Sequence, residues 1–331
     1  MNQSVPVTLL FSDGVAHRLA VPCGQKLVEA AGQAGLHLLT DCSNGRCGTC
    51  TARLLSGAID MGDYDTSVLP DDDRDAGGVL PCVCRVAGAC AVEFPYESAE
   101  VLADVPPPIA GRVVAVRRIA SETVLLQISI AKGVQFEPGQ YVRIQPEGTD
   151  ISRSYSMANV PGSNALEFFV RLVPDGAFSN WLASAKAGDQ VQLSSPHGTF
   201  FLRDEERPRL FVAGGTGVAP FLSMLRAMSQ KARAQPTTLL IGARTHGHLF
   251  ALEELETLRQ ASPNIQVRLA VEQDADGDCH HGYATDLIAG LGLDPATRVY
   301  LCGPPPMVEA GRKAAEAAGL PRQDVLCERF A

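Results

Sequence analysis

The pattern of hydrophobic and polar positions divides the chain into three segments, and the first of them mixes strands with a helix. Residues 5–21, VPVTLLFSDGVAHRLAV, predict two apolar-rich strands around a turn at Ser12, Asp13 and Gly14. The stretch QKLVEAAGQAG then has helical spacing, with Gly35 as its C-cap. A cysteine-rich loop, an acidic loop and a short strand around CAVEF complete this segment.

The other two segments differ in how their strand patterns are connected. Residues 111 to about 207 hold closely spaced strand patterns, as expected of a small β-barrel: GRVVAVRR, TVLLQISI, QYVRIQP, LEFFVRLV and QVQLSSP. From residue 208 onward, strands alternate with helices expected from 218, near 250, near 284 and from 306. This alternation predicts a parallel α/β domain. The proline-rich stretch DVPPPIAG, residues 104–111, marks a semi-rigid boundary before the barrel.

Composition and charge narrow the possible environment of the protein. The chain has 331 residues, of which 46% are apolar, and its longest apolar stretch, LFVAGGTGVAPFLSML, is interrupted by Gly and Pro. We expect neither a signal peptide nor a membrane span, and hence a cytoplasmic protein. The net charge is −9, and the first 100 residues contain 13 acidic and 6 basic side chains. This balance disfavours nucleic acid and anionic membranes; the acidic face either solubilises the protein or steers a basic partner.

Four cysteines have the spacing of an iron-sulfur site. Cys42, Cys47 and Cys50 lie in the loop CSNGRCGTC, and Cys82 follows after 31 further residues. The pattern C-x4-C-x2-C…C is typical of a plant-type 2Fe-2S ferredoxin, with four thiolates around two irons. Glycines 45 and 48 permit the positive φ angles that turn backbone N–H groups toward the sulfur atoms.

Other cysteine chemistries fit less well. A disulfide framework is unexpected in a reducing compartment. A zinc ribbon would need a second C-x2-C where the chain has Cys82-Val83-Cys84. A thioredoxin-like redox dithiol would lie at a helix N-terminus in a βαβ unit, which the segment from Cys47 to Cys50 does not resemble. Cys84 competes with Cys82 as the fourth ligand; LPC, which resembles the approach to the ferredoxin ligand, favours Cys82. The remaining candidates are expected to be small buried hydrophobic residues (Cys23, Cys90 and Cys327) or an ordinary loop (Cys279, His280 and His281).

The middle segment resembles the flavin-binding barrel of the ferredoxin-reductase superfamily through RSYSMAN, VRLVPDGAFSNWL and SPHGTF. The resemblance implies that Arg153 pairs with the FAD pyrophosphate, Tyr155 stacks on the isoalloxazine and Ser156 hydrogen-bonds the ring nitrogen that accepts hydride. It implies further phosphate and ribose contacts from Arg171 and from the turn of Gly176, Ala177, Phe178 and Ser179.

The last segment carries a glycine-rich turn, VAGGTGVAP, between a strand and a helix. Its backbone can approach a pyrophosphate at the helix N-terminus through Gly214, Gly215, Thr216 and Gly217, although the same glycines could serve packing alone. CGPPPM and the terminal ERFA match what the superfamily places beside the nicotinamide. By this resemblance Cys302, Gly303 and Pro304 line the site, Glu328 flanks the hydride path with Cys302, and Phe330 covers the flavin.

Taken in order, the three segments resemble the reductase components of bacterial ring-hydroxylating dioxygenases of the benzoate and anthranilate type. The resemblance implies a multidomain α+β and α/β fold: a β-grasp ferredoxin domain at 1–103, a six-stranded antiparallel flavin-binding β-barrel at 104–207 and a parallel α/β nucleotide-binding domain at 208–331. It also implies that electrons pass from NADH through FAD and the 2Fe-2S cluster to a terminal oxygenase or its ferredoxin. Ser43 departs from the family, in which arginine often follows the first cysteine.

Several alternatives remain open at this point. Reductases of multicomponent monooxygenases and of deoxysugar dehydrases share the modules, and a non-enzymatic iron-sulfur redox sensor is a candidate of a different class. NADH is expected over NADPH: Arg244 would suit a 2′-phosphate, but Glu253, Glu254 and Glu256 would repel it. The acidic loop between the third and fourth cluster ligands is expected to help dock the electron acceptor.

Overall fold

The computed structural model describes residues 4–66, 68–102, 107–229, 235–277 and 279–330. The chain divides into two compact units, residues 1–105 and 106–330. Residues 103–106, where the boundary between the first two domains is predicted, lie outside the described residues, as does the final residue of ERFA. The domain limits therefore stay predictions. No helix in the described ranges is long and apolar enough to cross a membrane.

The first unit is built on a mixed five-stranded sheet in the order β2-β1-β5-β3-β4, in which β1 and β5 are parallel and the other neighbours antiparallel. Its elements are β1 (Ser4–Leu10), β2 (Ala16–Pro22), α1 (Leu27–Gln33), β3 (Ala52–Asp60), α2 (Asp71–Asp75), β4 (Gly78–Val79), β5 (Arg85–Glu93) and α3 (Ala99–Leu102). Alternate residues of β1 and β5 are buried with α1 in one core that includes Val7, Leu9, Leu27 and Val92. The predicted hairpin and helix are present, and Gly35 follows the C-cap residue of α1 with a φ of +77°.

Sequence patterns missed β3, the strand that directly follows the cysteine loop. Most of its residues are exposed, so apolar and polar positions do not alternate along it. Gly57 interrupts its register with β5, and a Cβ atom there would collide with the carbonyl oxygen of Ala89. Because β3 has few buried apolar residues and an irregular backbone, its sequence lacks the alternation of apolar and polar residues from which a strand is predicted.

The second unit begins with a six-stranded antiparallel sheet in the order β10-β7-β6-β11-β8-β9. Its elements are β6 (Ile109–Ala120), β7 (Thr123–Ile130), β8 (Tyr141–Pro146), β9 (Arg153–Ser156), β10 (Ala165–Arg171), α4 (Ala177–Ser184) and β11 (Gln190–Leu193). Leu126, Ile128, Phe168 and Leu193 meet in its core. All five predicted strands are present, and RSYS forms the sixth, β9.

A second six-stranded sheet, parallel throughout, follows in the order β15-β14-β13-β12-β16-β17. Its elements are β12 (Arg209–Gly214), α5 (Val218–Ser229), β13 (Thr237–Ala243), α6 (Leu252–Ala261), β14 (Ile265–Val271), β15 (His280–His281), β16 (Arg298–Gly303), α7 (Pro305–Ala317) and β17 (Val325–Arg329). The helix expected near 284 is a 3-10 helix, Ala284–Gly290, which Tyr283 and Asp286 cap reciprocally. The predicted fold class, antiparallel sheet followed by parallel α/β domain, is confirmed.

A network of ion pairs around Arg226 joins the antiparallel sheet to the helices of the parallel α/β part of the second unit. Arg226 of α5 donates to Glu254 of α6 (2.6 and 2.9 Å), to Glu167 of β10 (2.8 Å) and to the carbonyl oxygen of Ala158 (2.8 Å). Burial opposes the charge of Arg226, but the two carboxylates outweigh it and raise its pKa. Beside this contact, Phe169 and Leu125 of the antiparallel sheet pack into one core with residues of the parallel sheet.

Candidate functional site

The four predicted cluster cysteines come together in the first unit. The Cys42 thiol hydrogen-bonds with Cys47 and with Cys82, and Cys82 hydrogen-bonds with Cys50. Cys47, Cys50 and Cys82 are buried and Cys42 is half-buried. These mutual hydrogen bonds lower the pKa of Cys42 and Cys50 and raise the pKa of Cys47 and Cys82, so the four thiols titrate as one group. A set of four soft sulfur donors fits a 2Fe-2S cluster.

Backbone N–H groups of the cysteine loop point at the sulfur atoms, as the sequence led us to expect. Arg46 donates to Cys42 Sγ at 3.3 Å, and the backbone of Gly45 and Thr49 hydrogen-bonds with Cys82 and Cys47. Gly45 has a φ of +75°, and a Cβ atom on it would lie 2.7 Å from the Cβ of Tyr64. The loop therefore requires glycine there for both conformation and space.

Cys84 lies in a different environment from Cys82. Its side chain is fully buried in the core under β1 and β5, and burial raises its pKa to about 12. Cys90 is also buried, and Cys327 is half-buried, packs against an apolar core and has its pKa raised by burial. Cys23 is half-buried, so the expectation of a buried hydrophobic residue is wrong for Cys23. Neither the four cluster thiols nor any other three His, Cys, Asp or Glu side chains in the described ranges converge on a single metal ion. A 2Fe-2S cluster does not require this, because its four thiolates are shared between two irons.

The predicted flavin residues lie on β9 and around the start of α4. Arg153 is exposed and donates to the carbonyl oxygen of Ser152 at 2.7 Å; no carboxylate among the described residues pairs with it. A guanidinium without an anionic partner fits a phosphate ligand. Tyr155 is half-buried, its ring centroid lies 4.9 Å from that of Phe178, and burial raises its pKa.

The stretch predicted as a turn at 176–179 is the start of a helix. Gly176 is the N-cap residue of α4, and the three residues after it, Ala177, Phe178 and Ser179, form its first turn. The Ser179 hydroxyl accepts a hydrogen bond from the N–H of Val173 at 2.9 Å. A cleft of about 390 Å³ lies beside this turn, lined by Arg118, Ser121, Glu122, Val173, Ser179 and Asn180 among others. Arg171 does not line the cleft, but its Nε atom lies 3.7 Å from Oε2 of Glu122, which does.

The glycine-rich turn after β12 is compatible with both functions that the sequence left open. A Cβ atom on Gly217 would collide with the carbonyl oxygen of Cys302, and one on Gly214 would lie 2.9 Å from Pro304 Cδ, so these two glycines serve packing. Gly215, at a φ of +54°, is exposed and faces open space. The turn, with Thr216 at its centre, is a short 3-10 helix that leads into α5 at Val218. Its exposed backbone fits the approach of a phosphate.

Three predicted catalytic side chains meet at one carboxylate. Glu328 Oε2 accepts a hydrogen bond from Ser156 Oγ at 3.1 Å and lies 3.7 Å from Cys302 Sγ. Ser156 is 5% exposed and Cys302 is completely buried. Burial raises the pKa of Cys302 well above its usual value, and the nearby Glu328 raises it further, so the thiol stays protonated at neutral pH.

Strand pairing sets this geometry. Cys302 and Glu328 are register partners on the parallel neighbours β16 and β17, whereas Ser156 comes from the antiparallel sheet. Phe330 is half-buried against the core shared by the two sheets, and its N–H donates to the carbonyl oxygen of Gly303 at 3.0 Å. The structure thus brings the predicted nicotinamide residues to one place; their individual roles stay predictions.

Two of the three glutamates that were expected to repel a 2′-phosphate are already paired with arginine. Glu254 is bound to Arg226, and Glu256 is bound to Arg259 at 2.7 Å, so neither offers an unpaired negative charge. Sequence reasoning also missed Glu122, which pairs with Arg244 at 2.8 Å. Nothing local marks Glu122, since the two residues are 122 positions apart.

Comparisons with known proteins identify all three parts of the chain. Protein-family models match the 2Fe-2S iron-sulfur cluster binding domain at residues 10–87, the oxidoreductase FAD-binding domain at 110–202 and the oxidoreductase NAD-binding domain at 211–313. The predicted cofactors, a 2Fe-2S cluster, FAD and a nicotinamide dinucleotide, are thereby confirmed.

Relatives align over nearly the whole chain. The toluate 1,2-dioxygenase electron transfer component of Pseudomonas putida is 34% identical over 97% of each chain, and the propane 2-monooxygenase reductase component of Mycolicibacterium goodii is 33% identical over 92% of each. The crystal structure of the cytochrome P450 reductase GcoB from Amycolatopsis has a TM-score of 0.75 at 28% identity, covering 98% of both chains. The chain therefore belongs to the family of oxidoreductase electron transfer components that carry a 2Fe-2S domain, an FAD-binding domain and an NAD-binding domain in one polypeptide.

Proposed function

We propose that this protein takes reducing equivalents from NADH and delivers single electrons to an aromatic-ring-hydroxylating dioxygenase or to its ferredoxin. The observation that carries the proposal is the alignment with the toluate dioxygenase component over 97% of each chain, which spans all three domains matched in this chain. The chemistry that FAD and the 2Fe-2S cluster supply when bound is hydride acceptance and one-electron transfer, respectively. The protein's own residues bind these groups, orient them and handle the accompanying proton.

Ser156, Glu328 and Cys302 are suited to hold a proton near the flavin. The Ser156 hydroxyl donates to Glu328 Oε2, and the protonated thiol of Cys302 lies 3.7 Å from the same oxygen. Glu328 is half-buried, so its carboxylate connects the buried hydroxyl with water. We assign to Glu328 the exchange of a proton between solvent and Ser156 Oγ, and to Cys302 the apolar wall beside the nicotinamide.

The remaining contacts orient the flavin. Arg153 is an exposed guanidinium without a carboxylate partner in the described part of the chain, which suits a pyrophosphate. Tyr155 packs against Phe178, which is 4% exposed and anchors the start of α4. This support restricts the rotation of the Tyr155 ring and suits it to stack on the isoalloxazine.

In the first unit, the acidic loop lies directly against the cysteine loop. Asp65 N–H donates to the carbonyl oxygen of Gly45 at 3.2 Å, and Tyr64, Leu69 and Leu80 pack with Cys50 and Cys82 in one small core. Asp71 and Asp75, at the ends of α2, pair with Arg74 at 2.7 and 3.0 Å but remain 68% and 70% exposed. With four aspartates and one arginine, α2 keeps a net negative charge that faces solvent, which supports its use in docking a basic electron acceptor.

A reconstitution experiment tests the proposed function. The purified protein, loaded with both cofactors, is mixed with NADH and with a ring-hydroxylating dioxygenase from which its own reductase has been removed. We expect rapid bleaching of the flavin absorbance and formation of hydroxylated product in proportion to the NADH consumed. Slow or absent flavin bleaching would instead indicate a non-enzymatic redox sensor.

A second candidate is the reductase of a multicomponent monooxygenase. The observation that favours it is the 33% identity over 92% of each chain with the propane 2-monooxygenase component. Rapid flavin bleaching with no dioxygenase turnover, but with turnover of a monooxygenase hydroxylase, would select this candidate over the first.

A further inference from the structure

One carboxylate, Glu122, lies among cationic side chains at the turn between β6 and β7. Its Oε1 atom is 2.8 Å from Arg244 Nη2 and 3.8 Å from His248 Nε2, and its Oε2 atom is 3.7 Å from Arg171 Nε. Its hydrogen bond with Arg244 lowers the pKa of Glu122, so the carboxylate is ionised at neutral pH. Glu122 is therefore a fixed negative charge in an otherwise cationic corner.

Arg244 lies within reach of the glycine-rich turn. Gly214, at the end of β12, is the register partner of Gly242 on β13, and Arg244 comes two residues after Gly242. Adjacent strands lie about 4.8 Å apart and each residue advances about 3.3 Å, so the long side chain of Arg244 can reach a group bound at Gly215. Ligands of open parallel sheets bind at this carboxyl edge of the strands.

The local structure holds Glu122 and Arg244 together. Ser121 donates its N–H and its hydroxyl to the carbonyl oxygen of Gly247 at 2.7 and 2.8 Å, which docks the β6–β7 turn onto the loop after β13. Arg244 Nη2 also lies 2.9 Å from His248 Nε2, and His248 Nδ1 lies 2.7 Å from Thr245 Oγ1. Among the carboxylates of the described residues, Glu122 is the one that pairs with Arg244.

We propose that Glu122 pairs with the Arg244 guanidinium at the position where a phosphate group of the incoming dinucleotide would otherwise bind. This pairing limits how tightly the coenzyme binds. The inference rests on the proposed function, because it takes the dinucleotide to bind at the glycine-rich turn. The phosphate that competes with Glu122 is either the pyrophosphate, which NADH and NADPH share, or the 2′-phosphate, which only NADPH carries. In both cases Arg244 must exchange one anionic partner for another when the coenzyme binds.

The exchange predicts a gain in affinity when the Glu122 charge is removed. The side chains of Arg244 and Glu122 are 48% and 36% exposed, so their pair is a solvent-screened one. We expect Glu122→Gln to tighten dinucleotide binding about two- to fivefold, which corresponds to about 0.4 to 1.0 kcal/mol. The gain should shrink as salt rises, because screening weakens the competing pair.

The test measures the Kd of ADP, 5′-AMP and 2′,5′-ADP for the flavin-loaded protein by calorimetry, alongside kcat/KM for NADH and NADPH. Glu147→Gln is the matched control, since Glu147 is an exposed carboxylate of the same unit without an ion pair among the described residues. A second pair of variants compares Arg244→Met with the double variant Arg244→Met, Glu122→Gln. Flavin content is measured for each protein, because Arg171 also contacts Glu122.

The outcomes separate the alternatives. Tighter ADP binding and equal gains for NADH and NADPH support competition with the pyrophosphate; gains confined to 2′,5′-ADP and NADPH support competition with the 2′-phosphate. Either gain must vanish in the Arg244→Met background. Unchanged or weaker binding in Glu122→Gln, or an equal gain without Arg244, would overturn the proposal and leave Glu122 as a contact that only joins the two sheets. Flavin reduction by NADH in the unsubstituted protein reports separately on the proposed function.

Discussion

Replacing Cys82 and Cys84 one at a time distinguishes the two possible fourth ligands of the cluster. Cys82→Ser exchanges a soft sulfur ligand for a hard hydroxyl at a position that hydrogen-bonds with both Cys42 and Cys50. We expect the purified variant to lose its two irons and the visible absorbance of the cluster. Cys82 is 5% exposed, so its serine hydroxyl would also be largely buried, and thermal unfolding of the variant checks that the unit remains folded.

The substitution chosen at Cys84 must suit a fully buried, apolar site. The Cys84 side chain is 0% exposed in an apolar core, so a serine there would bury a hydroxyl at a cost of about 1 to 3 kcal/mol. Cys84→Ala avoids that penalty and removes one buried sulfur, at about 1 kcal/mol. In a unit of about 100 residues this lowers Tm by about 4 to 8 °C while leaving the cluster in place.

Iron and acid-labile sulfide analysis, visible absorbance and thermal unfolding of both variants give the comparison. We expect iron to be lost in Cys82→Ser and retained at two atoms per chain in Cys84→Ala. Full iron content in Cys82→Ser would refute the ligand assignment, and a cluster lost from Cys84→Ala but present in Cys82→Ser would assign the fourth ligand to Cys84.

Four further predictions concern the other parts of the protein. Arg153→Ala should purify poor in flavin, since loss of one charge-assisted contact to phosphate costs about 1.5 to 3 kcal/mol, or about tenfold to a hundredfold in affinity; unchanged flavin occupancy contradicts its role. Cys50→Ala should still reduce a two-electron dye with NADH but fail with one-electron protein acceptors. Equal loss of both activities would mean that the cluster is structural or that the domains do not fold independently. Replacing the three aspartates at 71–73 with asparagine should slow reduction of the natural partner at low salt and leave dye reduction intact; a wild-type rate across a salt series excludes this docking surface. In the first unit, the Ser98 hydroxyl donates to Asp13 at 2.6 Å and lowers the pKa of that carboxyl, so its contribution to stability is present above the unfolded pKa near 3.8 and is lost as pH falls through the lower folded value. Ser98→Ala should therefore weaken the pH dependence of the free energy of unfolding, measured by denaturant titration at a series of acidic pH values. The same pH dependence in Ser98→Ala and the unsubstituted protein would contradict this prediction.

Sequence reasoning succeeded where one local pattern determines one local structure. The four-cysteine spacing identified the thiols that meet in the structure, because a single loop supplies three of them and its glycines set the backbone. The apolar strands were likewise found, and the helix expected from 218 begins at Val218. It failed where the hydrophobic signal is weak, as in β3, and where the helix type depends on capping, as at Ala284–Gly290.

Long-range electrostatics could not be predicted from the sequence. Glu254 was expected to face a coenzyme phosphate, but it binds Arg226, which also reaches across to Glu167 in the other sheet. Glu122 was not noticed at all, although it neutralises Arg244. Which charges meet is decided by how the two sheets pack, and no spacing along the chain encodes that packing.

The same packing determines the geometry of the candidate hydride site. Register within the parallel sheet brings Glu328 beside Cys302, but only the seating of one sheet against the other brings Ser156 within 3.1 Å of Glu328. The ionic contact of Arg226 and the shared core around Phe169 and Phe250 fix that seating. A hydrogen bond weakens steeply when its atoms move apart by a few tenths of an ångström. Residues far from Ser156 and Glu328 therefore help to hold this hydrogen bond in line, and the proposed part of Ser156 in hydride transfer depends on them.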